Sequence, residues 1–138
     1  MSENQPAPAP KKFLTRELIL RALDLPTEDV DVPEWGGVVK IRTLTGAERD
    51  AFEASMMTEK ESESRRERMI NIRARLCASA IVGEDGVTAL FTQADVEELG
   101  KKSSKALNRV FEAARKLSGF TDGDVKELEG KSSRDRKG

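Results

Sequence analysis

Residues 30–50 read VDVPEWGGVVKIRTLTGAERD, and this stretch decides how the N-terminal half of the chain folds. Its apolar residues alternate with polar ones on either side of two glycines. The alternating apolar residues are Val30, Val32, Val39 and Ile41. Because successive side chains of a strand point to opposite faces, the pattern predicts two half-buried strands. Gly36 and Gly37 can adopt the positive φ that a tight reversal needs, so the strands are predicted to form a hairpin.

A helix is predicted to begin directly after the second strand. The Thr45 hydroxyl can accept a hydrogen bond from the Glu48 amide, and the Glu48 carboxylate can accept one from the Thr45 amide. This reciprocal arrangement is a capping box. Residues 30–50 therefore predict a strand, a turn, a second strand and the first turn of a helix.

Trp35 is the only tryptophan and lies at the predicted turn, where two interpretations stay open. It is either a lid over the apolar face of the hairpin or an exposed anchor for a partner, a role in which tryptophan is common. Apolar anchors rimmed by charge suit an amphipathic client helix, and the alternation places three further residues on the outer face. The predicted partner-binding residues are Trp35, Val38, Lys40 and Arg42.

The composition excludes several functions. The chain has 138 residues and no histidine, which removes His-based catalysis and imidazole metal sites. We therefore predict no enzymatic activity, no cofactor and no metal. The net charge of −1 offers no global attraction for nucleic acid. The arginines of residues 65–75 are interleaved with acidic residues, which favours a solvated, salt-bridged face.

Cysteine content and hydropathy indicate the redox compartment of the protein and whether it enters a membrane. Cys77 is the only cysteine, so an internal disulfide is excluded and a reducing compartment is indicated. The sequence contains neither an apolar run long enough to span a bilayer nor the hydrophobic core of a signal peptide. These features predict a soluble intracellular protein without a membrane partner.

The chain divides into three parts by composition. Residues 1–12 are polar and rich in Pro and Ala, which predicts a disordered arm. Residues 13–129 are predicted to form one globular domain. Residues 130–138 are charged and small, which predicts a disordered tail.

Helices are predicted on both sides of the hairpin. The first begins at Thr15 and ends before Pro26, with Leu14 and Ile19 as a hydrophobic staple. A helix over residues 64–82 carries a wide apolar arc that includes Cys77, which is predicted to be buried and unreactive. Arg73 falls within that arc, either as a snorkelling side chain or as the partner of a carboxylate such as Asp50 or Glu53.

A nine-residue pattern, F-T-x-x-D-V-x-E-L, occurs at residues 91–99 and again at 120–128. In each copy the threonine is predicted to cap a helix. Two copies are too few for a repeat architecture, so we interpret the pattern as a capping sequence that is used twice. Residues 87–91 predict a short extended piece, and residues 104–117 predict a regular helix that ends at Gly119. The whole predicts an α+β fold that is mainly helical, with the N-terminal hairpin packed on a bundle of four or five helices.

Three passages resemble the tail assembly chaperones of long-tailed bacteriophages and prophages. The first is LTRELILRALDLPTEDVDVPEWGGVVKIRTLTGAERDAFEAS at residues 14–55. The second comprises residues 76–82, Gly83-Glu84-Asp85-Gly86 and Leu90-Phe91-Thr92, and the third is the helix at 107–117. The resemblance covers about residues 13–129.

The resemblance implies a function and a set of partners. Such chaperones bind the tape measure protein in the host cytoplasm and keep it soluble until tail tube subunits displace them. It further implies a homo-oligomer, a frameshifted long form, contact with the tail tube protein, and absence from the mature virion. Two alternatives stay open: a small structural virion protein, such as a connector or tail terminator, and a nucleic-acid-binding regulator.

Overall fold

The computed structural model describes residues 11–57, 65–121 and 123–124. Within these ranges the chain forms five helices and one three-stranded antiparallel sheet in the order β1-β2-β3. The helices are α1 (Arg16–Arg21), α2 (Gly46–Met57), α3 (Arg65–Ala80), α4 (Val96–Gly100) and α5 (Ser104–Leu117). The strands are β1 (Thr27–Val32), β2 (Gly37–Arg42) and β3 (Ile81–Val82), and short 3-10 turns occupy Pro33–Trp35 and Gln93–Asp95. The predicted mainly helical α+β fold is confirmed.

The boundaries predicted for the disordered ends stay predictions. Residues 1–10 of the predicted arm and all of the predicted tail at 130–138 lie outside the described residues.

The predicted hairpin is confirmed, with its faces as the alternation requires. β1 and β2 pair in register from Thr27 opposite Arg42 to Val32 opposite Gly37. Val32 and Ile41 are completely buried. At the turn, Gly36 has a φ of 74°, whereas Gly37 already belongs to β2. One of the two glycines therefore supplies the left-handed conformation.

β1 begins at Thr27, earlier than the apolar alternation indicates. Its first residues, Thr27-Glu28-Asp29, are polar and exposed, and acidic residues are depleted in strands. The strand persists here because Lys40 Nζ donates to Asp29 Oδ1 at 2.6 Å across the ladder. Opposite charges in a cross-strand pair stabilise a sheet.

The predicted end of the helix over residues 64–82 is wrong by two residues. α3 ends at Ala80, and Ile81 and Val82 form β3, which pairs with Ile41 and Lys40 of β2. Both residues are buried β-branched side chains that fit the helical spacing and a strand equally well. Their backbone groups complete the sheet instead. Ala89 forms a further bridge with Val82, in agreement with the predicted extended piece at residues 87–91.

The core lies where α3 and α5 pack against each other and α5 packs on the hairpin. α5 buries Ala106, Leu107, Val110, Phe111 and Ala114 along one face. It ends as predicted before Gly119, which has a φ of 80°. α3 contributes a second buried set, Ile72, Ala74, Leu76, Cys77, Ala78 and Ala80, to the same core.

Two residues of α3 had been singled out from the sequence. The predicted burial of Cys77 is confirmed, and desolvation raises the pKa of its thiol to about 12, so a thiolate is rare at neutral pH. Arg73 is half-buried. Hydrogen bonds from Arg115 lower the pKa of Glu112 on α5, and the charge of Arg73 adds to this effect. Arg73 thus lies close enough to Glu112 to act on it.

The predicted cap of α2 is confirmed, and the other two predicted threonine caps form their bonds at the 3-10 turn before α4 and at residues 121–124. Glu48 N donates to Thr45 Oγ1 at 3.0 Å, and Thr45 N donates to Glu48 Oε1 at 2.8 Å. The two copies of the nine-residue pattern form the same reciprocal bonds. Their pairs are Thr92 with Asp95, and Thr121 with Asp124.

α1 has its predicted cap but contributes nothing to the core. Leu18 N donates to Thr15 Oγ1 at 3.3 Å, and the helix ends at Arg21, ahead of Pro26. No residue of α1 is buried. Leu14 and Ile19, the two residues of the predicted staple, are 63% and 56% exposed. Residues 11–25, called the α1 segment below, therefore present most of their large apolar side chains to solvent, with Leu18 half-buried.

Candidate partner-binding groove

The tip of the hairpin is held in place from two sides. Gly36 allows the chain to reverse after the 3-10 turn. Arg109 of α5 forms a salt bridge with Glu34 of the same turn. The Arg109 guanidinium donates to both carboxylate oxygens of Glu34, at 2.8 and 3.1 Å. These bonds lower the pKa of Glu34. The turn that carries Trp35 is thus fixed to the helical core.

Trp35 combines parts of the two interpretations that the sequence leaves open. Its side chain is half-buried and packs against the core, as a lid would. It also lines two adjoining cavities of about 600 and 580 Å³. An indole that packs on the core with one side and lines an open cavity with the other can serve as an anchor for a partner.

The two cavities share Trp35 and Phe91, and together they are called the Trp35 groove here. Each is within the size range of ordinary binding pockets. The apolar lining consists of Trp35, Val38, Val39, Ile81, Val82, Leu90, Phe91 and Leu99. Val38 and Leu90 are 64% and 58% exposed, so the groove offers accessible apolar surface.

Three of the four predicted partner-binding residues meet in this groove. Trp35, Val38 and Lys40 line the same cavity. Arg42 does not line it, because its guanidinium donates to both oxygens of Glu48, at 2.9 and 3.0 Å. That bidentate pair joins the end of β2 to the first turn of α2. The strand alternation correctly places Val38, Lys40 and Arg42 on one face. Of the three, only Val38 and Lys40 line the cavity, because Arg42 at the end of β2 contacts α2 instead.

The lining of the groove carries more negative than positive charge. Five carboxylates face two lysines. The carboxylates are Asp29, Glu34, Glu84, Asp95 and Glu98, and the lysines are Lys40 and Lys102. Arg109 and Lys101 pair with two of the carboxylates from outside the lining, which leaves an acidic excess of one. An apolar floor with an acidic rim favours an amphipathic segment that carries basic residues.

The residues that sequence reasoning missed are Leu90, Phe91 and Leu99. In the sequence, Phe91 and Leu99 are the first and last residues of the nine-residue capping pattern. All three lie more than fifty positions from Trp35 along the chain, and β3 brings them beside the hairpin. The apolar dipeptide Leu90-Phe91 shortly after Gly86 was the available signal in the sequence.

The described part of the chain contains neither a metal-ligand cluster nor a helix that could span a membrane. Across residues 11–57 and 65–121, no group of three or more carboxylate, thiol or imidazole side chains is placed to hold a metal ion. The described helices also include none that is long and apolar enough to cross a membrane. What the geometry does provide is a supported aromatic side chain in an apolar groove. The fold and the groove define a small α+β protein with an open apolar groove on its surface.

The comparison with known families identifies the chain more closely. A family model described as phage tail assembly chaperone matches residues 15–132, which is most of the sequence. The chain therefore belongs to the phage tail assembly chaperone family, whose members act in assembly rather than as enzymes. Its partners are accordingly proteins of the phage tail. No curated protein and no solved structure matches the chain.

Proposed function

We propose that this protein binds the tape measure protein of its phage and keeps that long helical protein soluble during tail tube assembly. It does so in the host cytoplasm and is displaced before the virion is complete. The tail tube protein and a frameshifted long form of the chaperone are its further partners. Family membership supports a role in tail assembly, and the Trp35 groove supports the binding of a helical client.

One observation carries the proposal to a specific site. Trp35 and Val38 expose apolar surface within a groove whose backbone is fixed by the sheet and by the Glu34–Arg109 pair. A rigid groove loses little conformational freedom when a client helix binds. Amphipathic helices are recognised in this way, with apolar anchors in the groove and charges at its rim.

The direct test is co-expression of the chaperone with its tape measure protein, followed by capture of the complex from the soluble fraction. Val38→Lys places a charge in the groove at an exposed position, so we expect capture to be lost. The free energy of unfolding should change by less than about 0.5 kcal/mol. Val87→Lys is the matched control. Val87 is 69% exposed and does not line the groove, and this variant should capture the client normally. Equal capture by both variants would exclude the groove as the client site.

Trp35→Ala asks whether the indole acts as a lid, an anchor or both. Complete burial of a tryptophan is worth about 3–5 kcal/mol in such substitutions. Because Trp35 is only half-buried, we expect a loss of about 2 kcal/mol together with loss of capture. A destabilised Trp35→Ala variant that still captures its client would leave the indole with a structural role alone.

Arg42→Ala decides whether the fourth predicted residue belongs to the site. Arg42 is bound to Glu48 and does not line the groove, so capture by this variant should match that of wild type. Purified particles provide a separate check on the proposed role. Mass spectrometry should find no chaperone in them, whereas a structural virion protein would be present at fixed stoichiometry.

A further inference from the structure

Exposed apolar surface is concentrated in two places among the described residues. Nine large hydrophobic side chains are exposed there. Six of them belong to the α1 segment: Phe13, Leu14, Ile19, Leu20, Leu23 and Leu25. Of the other three, Val38 and Leu90 line the Trp35 groove. Contiguous exposed apolar surface of this kind usually marks an interaction site.

The α1 segment has the features of a ligand for such a groove. Its helix is capped at Thr15, and Leu20 and Leu23 are 67% and 102% exposed. A helix of six residues is not stable in isolation, because nucleation is costly and few hydrogen bonds repay it. It therefore needs an apolar surface on which to pack. The rest of its own chain buries none of its residues.

The charges of the segment and the groove are complementary. Residues 11–25 contain four basic and two acidic side chains, which gives the segment a net charge of +2. The groove lining holds five carboxylates and two lysines, and remains acidic when Lys101 and Arg109 are included. Complementary charge at the rim orients a helix that is held by apolar contacts in the groove.

We infer that the α1 segment of one copy of this protein binds in the Trp35 groove of a second copy. The groove of the same chain is poorly placed for it. Asp29 near the start of β1 lines one end of the groove, but Trp35 follows the far end of the strand, about 20 Å from Thr27 along a strand of this length. Pro26 has a fixed φ and holds Leu25 extended, so the chain leaves α1 in the direction of β1 and would have to reverse.

The contact joins two different surfaces, a helix and a groove. Such a contact either closes by reciprocal exchange in a dimer or continues from copy to copy. In both cases it covers the apolar groove when no client is bound. The inference rests on the proposed function in one respect only. If a client helix enters the same groove, it would compete with α1. The contact between copies stands without it.

Sedimentation equilibrium of the full chain over a wide concentration range tests the contact without any client. The wild-type protein should associate. Leu20→Glu, which disrupts α1, and Val38→Lys, which disrupts the groove, should each raise the dissociation constant at least about tenfold. Val87→Lys should behave as wild type. Circular dichroism establishes that each variant is folded, and all three substitutions are at exposed positions.

Mixing the two disrupted variants is the decisive step. The Leu20→Glu chain retains an intact groove, and the Val38→Lys chain retains an intact α1 segment. Together they supply one complete contact, so a 1:1 complex should form from two proteins that are monomeric alone, and no larger species should appear. Absence of this complex, or association that neither variant weakens, would overturn the inference.

Three further outcomes distinguish this inference from an intramolecular contact and from the proposed function. A wild-type monomer whose α1 amides are protected from hydrogen exchange would show that α1 occupies its own groove, and would overturn the inference. A wild-type monomer that loses client capture in Val38→Lys alone would also overturn it, while leaving the proposed function intact. Conversely, normal association with no capture of the tape measure protein would refute the proposed function and leave the contact between copies in place.

Discussion

α1 and α5 have the same kind of N-cap but differ in how far their apolar residues are buried. Thr15 caps α1 by accepting from the amide three residues on, and Ser103 caps α5 through the same bond, at 3.3 and 3.2 Å. Both helices carry apolar residues on one face. α5 buries five residues of that face, whereas α1 buries none. Helix signals in the local sequence therefore specify where a helix starts and which face is apolar, but they do not supply the surface that covers it.

Length and surroundings explain the difference. α5 has 14 residues and lies between α3 and the hairpin, so its apolar stripe meets two surfaces. α1 has six residues and is followed within five residues by a strand that leads away into the sheet. Most helical stability in proteins comes from tertiary packing of an apolar face. α1 has the apolar face without the packing, so substitutions in α1 should affect stability less than equivalent ones in the packed helices.

The largest effect is expected from the same substitution made in each helix. Leu107 of α5 is 4% exposed and Leu20 of α1 is 67% exposed. Leu107→Ala should lower the free energy of unfolding by about 2–5 kcal/mol, because it leaves a cavity in the core. Leu20→Ala should change it by less than about 0.5 kcal/mol. Urea denaturation at a protein concentration low enough to prevent association measures both. Comparable losses would mean that α1 packs on its own domain.

A smaller effect is expected at the helix caps. Thr45→Ala removes the cap of α2, a helix that packs on α3, and should cost about 1 kcal/mol. Thr15→Ala removes the cap of α1 and should leave global unfolding of the dilute protein unchanged, because α1 is not part of the cooperative core. Thermal unfolding of the two variants decides the point. If Thr45→Ala unfolds at the wild-type temperature, the cap of α2 contributes nothing to the folded state.

The smallest effect concerns the loop after β3, which is ordered by hydrogen bonds rather than by burial. Asp85 accepts from the amides of Val87 and Thr88 and from the Thr88 hydroxyl, and these bonds lower its pKa from 3.8 to about 2. A carboxylate whose pKa is depressed on folding stabilises the protein above its unfolded pKa. That stability is lost as the pH falls through the folded pKa.

Asp85→Ala should therefore lower the melting temperature at pH 7, and the difference from wild type should shrink between pH 4 and pH 2. Melting curves of both proteins across this range give the comparison. A difference that stays constant with pH would show that the ionised carboxylate does not hold the loop.

The fold was largely predictable from the sequence, and the groove was predictable only in part. Strand alternation gave the correct faces for Val38, Lys40 and Ile41, since the period of two leaves no other choice. It gave no information on which residues from other elements contact the side chains at the two ends of β2. Arg42 binds Glu48 of α2, while Lys40 lines the groove beside Leu90. Those neighbours come from distant parts of the chain.

β3 shows a second limit. Ile81 and Val82 continue the apolar spacing of α3, and the sequence alone favours a longer helix. They leave the helix because β2 offers an unpaired edge, and backbone hydrogen bonds to that edge replace those of another helical turn. Without this short strand, Leu90 and Phe91 would not lie beside Trp35, and the groove would not exist.

The sequence by itself determined the caps at Thr45, Thr92 and Thr121, the hairpin with its glycine turn, the burial of Cys77, and membership of the phage tail assembly chaperone family. These features depend on residues within a few positions of each other, or on the sequence as a whole. The tertiary structure alone decided that Trp35 is half-buried, that the groove is assembled across β3, and that α1 stays uncovered. The physical reason is that burial requires two surfaces to meet, and the second surface is supplied by residues far away in the chain.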